Sequence, residues 1–233
     1  VSFFGGTATF NNAGQLNHTQ ATGTHNIDGS VSFNNTGTVT GQAGTFVISG
    51  GGTDTGAYAV NAGAVVNFAG GTRNLNTGAS FSGAGTLQIS GGTGSVNNPL
   101  TIAAPTINLS GGTIAGTGNL TLTGALNITG SSSVSGTGTL TTQGTTTVNM
   151  GASNASVTIT GGRTWVNQGT MTIDGDDFVA FGSSGSNTLT NAVGGTLNIN
   201  STNATPVSFF GGTATRSEEH TSELQSRLHL VCR

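Results

Sequence analysis

The sequence predicts an all-β fold, a parallel β-solenoid of roughly ten coils of about 20 residues each. Three observations lead there: one strand phrase recurs at a near-constant interval, the composition belongs to strands and turns, and the dipeptides that close hairpins are scarce.

The phrase comes first. VISGGGT (47–53), VNFAGGT (66–72), LQISGGT (87–93), INLSGGT (107–113), LNITGSS (126–132) and VNMGAS (148–153) start 19, 21, 20, 19 and 22 residues apart. Each reads apolar, polar, apolar, small, then a glycine-rich corner, which is the period-2 alternation of a half-buried strand followed by a turn. A second phrase, Gly, Thr or a small residue, then apolar, recurs at 37–39, 44–46, 85–87, 118–120, 138–140, 169–171 and 195–197 and delivers the chain from a corner into a strand. One such unit buries too few side chains to offset the entropy of ordering it, so the units must stack. Stacking places Val66 and Phe68, Leu87 and Ile89, Ile107 and Leu109, and Leu126 and Ile128 inside, with Asn67, Gln88, Asn108 and Asn127 outside. At about 4.7 Å per coil the rod comes to about 50 Å.

Composition supports the same reading. The 233 residues suffice for one domain with a sizeable core; they include 41 Gly, and only 6% are charged. Thr, Val, Ile and Phe suit a pleated surface, and Gly and Asn take the corners. Net charge is −3. Residues 1–215 hold no Lys and only two Arg, Arg73 and Arg163, so the electrostatic term needed for nucleic acid or an anionic membrane is missing. No apolar run is long enough for a spanning helix, which speaks against direct membrane insertion of this segment. The chain starts at Val1 rather than Met, so it reads as an internal piece of a larger protein. The sole cysteine, Cys232, lies at the far end, and residues 1–215 offer no disulfide framework.

Hairpin signals are the third observation. Asp28-Gly29 and Asp174-Gly175 are the only Asn-Gly or Asp-Gly pairs, which argues against a sandwich or an antiparallel barrel. The regular phrase weakens between about 150 and 190, where MTIDGDDFVAFGSSGSN predicts a loop or an irregular coil.

FNNTGTV (33–39), NAGAVVNFAGGT (61–72), SGAGTLQISGGT (82–93) and GGTLNIN (194–200) resemble the repeats of large bacterial surface proteins of the filamentous-haemagglutinin and autotransporter-passenger type. The resemblance covers most of residues 1–215 and implies a right-handed parallel β-helix, secreted or exposed at the outer membrane or cell surface. It further implies a structural or adhesive stalk without a catalytic centre or cofactor, continuous with further β-helix coils of its parent. The implied partners are host or environmental surface glycans or proteins.

Candidate chemistry is sparse. Asp174, Asp176 and Asp177 could converge on calcium around Gly175, but no Glu follows at EF-hand spacing, which favours a solvated turn. A carbohydrate-active lyase or hydrolase on this scaffold needs clustered acids with basic residues to grip uronates, and residues 1–215 hold only two Arg, ninety residues apart. His18 and His25 read as exposed loop residues rather than metal ligands. Thr-apolar-Thr at 121–123, 139–141, 158–160 and 170–172 suggests an ice-binding face, interrupted where Asn, Gln and Ser replace Thr. Tyr58 and Trp165 read as packing residues before carbohydrate platforms.

The end of the chain changes vocabulary. Residues 216–233 contain every Glu and the only Cys, and Arg216–Ser226 and Leu230–Arg233 resemble a translated short-read sequencing adapter. This predicts a non-native tail in which Ser217 could cap a short helix carrying Leu224, Leu228 and Val231. VSFFGGTAT occurs at both Val1–Thr9 and Val207–Thr215, which predicts a tandem unit of 206 residues, with an assembly artefact as its rival.

Overall fold

In the computed structural model the described residues are 6, 8–151, 154–210 and 213–218. Every described strand pairing is parallel, and each coil contributes one strand to each of three faces. Face one is a ten-stranded sheet from Ala8–Asn12 to Val207–Phe209. Face three is a nine-stranded sheet from Thr24–Ile27 to Thr196–Ile199. Face two is split into four strands, Gln15–His18 to Ser80–Ser82, and six strands, Leu100–Ile102 to Thr213–Glu218. The break falls where Pro99 brings no N–H to the ladder. The count is nine full coils and the first two strands of a tenth. Thr24 and Thr196 open the first and ninth strands of face three, so a coil averages about 21 residues.

The fifth coil shows why these residues form these strands. In Thr93–Val96, Leu100–Ile102 and Thr106–Leu109, the inward Gly94, Val96, Ile102, Ile107 and Leu109 are buried. Thr93, Ser95, Thr101, Thr106 and Asn108 face out, and hydroxyls and amides satisfy that role on a solvated sheet. Because the ladders are in register, Val66, Leu87, Ile107 and Leu126 stack as one buried column, and Phe68, Ile89, Leu109 and Ile128 as another. Asn67, Gln88, Asn108 and Asn127 stack outside as expected. Their amides are tied to neighbouring coils: Gln88 Nε2 donates to Ser110 Oγ at 2.8 Å, and Ser90 Oγ to Asn67 Oδ1 at 3.0 Å.

The Gly-Thr-apolar phrase has a steric origin. A Cβ on Gly37 would lie 2.1 Å from the Gly14 carbonyl oxygen, one on Gly56 2.1 Å from that of Gly37, and one on Gly138 2.1 Å from that of Gly118. Successive coils therefore touch backbone to backbone at these corners, and only glycine fits.

The segment from 150 to 190 is more regular than its sequence suggests. Ser156–Ile159, Thr164–Asn167, Thr170–Ile173, Phe178–Phe181 and Ser186–Asn191 all take their places in the three faces. Among the described residues the departure shows at the corner 174–177, with all four residues of Phe178–Phe181 buried. Asp28-Gly29 and Asp174-Gly175 are corners, the first closed by Val31 N donating to the Asp28 carbonyl at 3.0 Å.

At the tail, Arg216, Ser217 and Glu218 extend the strand Thr213–Glu218 against Leu189–Asn191, so Ser217 caps no helix; residues 219–233 lie outside the described ones. The closing residues of the two nonapeptide copies occupy different faces, the second copy having opened on face one with Val207–Phe209. Ala8 and Thr9 open the first strand of face one, whereas Ala214 and Thr215 belong to the last strand of face two.

Candidate functional site

The interior is where the polar chemistry collects. On face one the inward position ending each strand is held by Asn12, Asn35, Asp54, Leu75 and Val96 in successive coils. Asn12 Nδ2 donates to Asn35 Oδ1 at 2.8 Å, a buried amide ladder leading to the carboxylate of Asp54. Arg73 lies in the next coil, fully buried, and binds Asp54 with two nitrogens: Nε reaches Oδ2 at 3.0 Å, and Nη2 reaches Oδ1. Its Nη1 donates to the Phe33 carbonyl, and Tyr58 Oη donates to Asp54 Oδ1 at 2.6 Å. The guanidinium lies 5.2 Å from the Phe33 ring centre and 5.9 Å from that of Phe68. The room for it comes from glycine on both sides in the ladder, Gly52 and Gly94, and a Cβ on Gly52 would approach Nη1 to 2.7 Å.

Electrostatics follow from burial. Loss of water raises the Asp54 carboxyl above the usual carboxylate range, against the pull of Arg73 and Tyr58, which lowers it. Burial, then the neighbouring carboxylate, raises the Tyr58 phenol further still, so it stays a proton donor. The group bonds residues of three successive coils and is sealed from solvent, a geometry suited to pinning register rather than to turning over a substrate.

His18 and His25 are not loop residues. They sit at inward positions of Gln15–His18 and Thr24–Ile27 in the first coil, where His18 is 8% exposed and His25 is exposed. His18 Nε2 lies 2.9 Å from His25 Nδ1, and His18 Nδ1 lies 2.8 Å from the Ala43 carbonyl oxygen. The His18 ring stacks on Phe46 with centres 5.4 Å apart.

Asp174, Asp176 and Asp177 fall in the corner between Ile173 and Phe178. Asp174 and Asp176 are half-buried, but Asp177 is wholly buried, so the expectation of a solvated turn fails for it. Asp177 Oδ2 accepts the Met150 N–H, and Oδ1 has no partner among the described residues. Asn149 Nδ2 approaches Asp174 Oδ2 at 3.5 Å, and Asn203 Nδ2 bonds the Asp176 carbonyl at 3.1 Å. Stacked corners thus use these groups as acceptors for one another, and among the described residues no three His, Cys, Asp or Glu side chains converge on a metal position.

Arg163 is a second buried cation. Its Nη1 reaches the Gly116 carbonyl two coils back at 3.3 Å, while Nε and Nη2 lack partners among the described residues. Burial lowers its pKa to about 10, below the usual guanidinium range.

Tyr58 and Trp165 are both core residues, with Trp165 Nε1 donating to Thr142 Oγ1 at 3.2 Å, so neither offers a carbohydrate platform. The threonine phrases are distributed over all three faces. Face three carries the fullest column, with Thr24, Thr45, Thr86, Thr106, Thr145, Thr170 and Thr196 at the opening position of its strands; face two carries shorter ones, Thr139, Thr164 and Thr188 in one, and Thr101, Thr121, Thr141 and Thr190 in the other with Val166 interrupting. A shallow surface groove is lined by hydroxyls of Thr113, Ser131, Ser132, Ser133, Ser156 and Thr158. The interior void among Phe68, Leu75, Leu87 and Ile89 measures about 20 Å³, room for about one water. No described helix is long and apolar enough to cross a membrane. No protein-family model matches the chain, nor does any curated protein or solved structure.

Proposed function

We propose that the chain is a stalk segment of a large secreted bacterial surface protein of the filamentous-haemagglutinin or autotransporter-passenger type, non-catalytic and continuous with further coils at the cell surface. The observation that carries this reading is the ladder of face one, ten strands paired in parallel with the core columns stacked behind them. Nine spacings of about 4.8 Å make a rod of roughly 43 Å. Backbone hydrogen bonds run along its axis, the direction in which a stalk bears load. Outward positions carry small hydroxyls and amides, a surface able to contact glycans or proteins over a broad face without a pocket.

The test is a flow-cell assay in which beads bearing the chain pass over glass coated with glycans or host matrix proteins. Under the stalk reading, retention depends on outward residues of one face and survives loss of the carboxylates. Turnover of a polyuronate that disappears with Asp177→Asn would overturn it in favour of a carbohydrate-active enzyme. A second reading, an ice-binding face, is favoured by the threonine column of face three; thermal hysteresis that vanishes on Thr170→Tyr would establish it, and its absence removes it.

A further inference from the structure

We propose that His18 and His25 form a two-imidazole site for a divalent transition-metal ion of tetragonal preference, copper(II) foremost. A carbonyl oxygen only accepts, so the contact with Ala43 fixes the His18 proton on Nδ1 and leaves the Nε2 lone pair directed at His25. An imidazole held by a backbone carbonyl through one nitrogen, its other nitrogen carrying the lone pair, is the arrangement found in metal-ligating histidines. Stacking on Phe46 fixes the ring plane as well.

The ligand type selects the metal. The 2.9 Å between the two nitrogens is a hydrogen bond, so the ion enters as His25 swings aside from His18. Two neutral imidazoles hold copper(II) more tightly than nickel(II) or zinc(II), the Irving–Williams order. His25 is the exposed partner and the ring that turns, passing its Nδ1 proton through solvent to its own Nε2 so that both ligands bind as neutral imidazoles. No third His, Cys, Asp or Glu side chain joins them among the described residues, so water completes the equatorial plane. The ion would bridge the strands Gln15–His18 and Thr24–Ile27 across the corner at 19–23, stapling faces two and three of the first coil.

The experiment uses the full chain with His220→Ala and His229→Ala, which removes the only other histidines. One equivalent of copper(II) is added at neutral pH, followed by calorimetry and pulsed EPR. The expected result is one ion per chain and a spectrum with two imidazoles, one bound through Nδ1 and one through Nε2. His25→Ala should weaken binding by at least about a hundredfold, since loss of an outer-shell partner alone costs ten- to a hundredfold. His25 is exposed, and the variant's unchanged circular dichroism would show that it folds. Equal affinity in His25→Ala, a single-imidazole spectrum, or tighter binding of zinc than of copper would each overturn the proposal.

Discussion

Asp54→Leu removes one partner of a buried pair and leaves the Arg73 guanidinium without a counter-ion among Phe33, Phe68 and Tyr58. Two of its four polar contacts go to the carboxylate, and Tyr58 Oη loses its acceptor as well. Breaking a buried ion pair in this way costs about 3–5 kcal/mol. For a chain of this length, at roughly 2–4 °C per kcal/mol, the melting temperature falls by about 6–20 °C. Substituting the whole cluster, Asp54→Leu with Arg73→Met and Tyr58→Phe, leaves only the Phe33 carbonyl without its side-chain donor. The triple variant should therefore cost only about 1–3 kcal/mol, less than the single substitution. Circular dichroism gives the melting temperatures. Hydrogen exchange in Val31–Asn35, Gly52–Asp54 and Thr72–Leu75 separates opening of these coils from global unfolding, which repeat arrays do not undergo as one unit. A triple variant no more stable than Asp54→Leu, or an Asp54→Leu cost below about 1 kcal/mol, would refute the view that the pair is held by mutual compensation.

Arg163→Met should raise stability at neutral pH by on the order of 1–3 kcal/mol, because two buried guanidinium nitrogens lack partners among the described residues. Its folded pKa is lowered to about 10, so the native state binds fewer protons than the unfolded state above that value. The native chain therefore gains stability as pH rises above about 10, and the advantage of Arg163→Met shrinks over the same window; urea titrations at pH 7 and pH 11 check both. Gly37→Ala, whose Cβ would lie 2.1 Å from the Gly14 carbonyl oxygen, should cost about 1–3 kcal/mol or more. Gly14→Ala has nothing within 4 Å and should fall within about 0.5 kcal/mol of native, so equal melting temperatures for the two would contradict the backbone-contact account of the corners. Deleting residues 216–233 should leave the melting temperature unchanged, and a large loss would identify the tail as a true cap.

The solenoid was legible because alternation is a local signal. Leu87 and Ile89 flank Gln88, and the same pattern returns one coil later as Ile107, Asn108 and Leu109, so both the strand and its partner can be read from the letters. The polar interior also has a signal in the letters. The residue following Gly-Gly-Thr is Arg73, Gly94 and Ile114 in successive coils, one inward column in the structure, and position alone put Arg73 inside. Asp54 shares a column with Leu75 and Val96 for the same reason. His18 follows the inward Leu16 at period two. Asp177 was not accessible to this logic, because it lies in a corner where no period holds and its burial depends on Met150 and Ser201 from neighbouring coils.

The displacement of the Ala-Thr pair that closes the repeated nonapeptide, from face one to face two, has a geometric consequence. The pair lies in the first strand at Ala8–Thr9 and, 206 residues on, in the twenty-ninth at Ala214–Thr215, so one period advances twenty-eight strands, nine turns and a third. A chain carrying this period in tandem acts as a three-step screw: each unit is rotated by about a third of a turn against the last, and the original orientation returns after twenty-eight coils, roughly 135 Å along the axis. Any patch borne on one face then appears in three directions in turn, and a fibre built from identical units has no blind side.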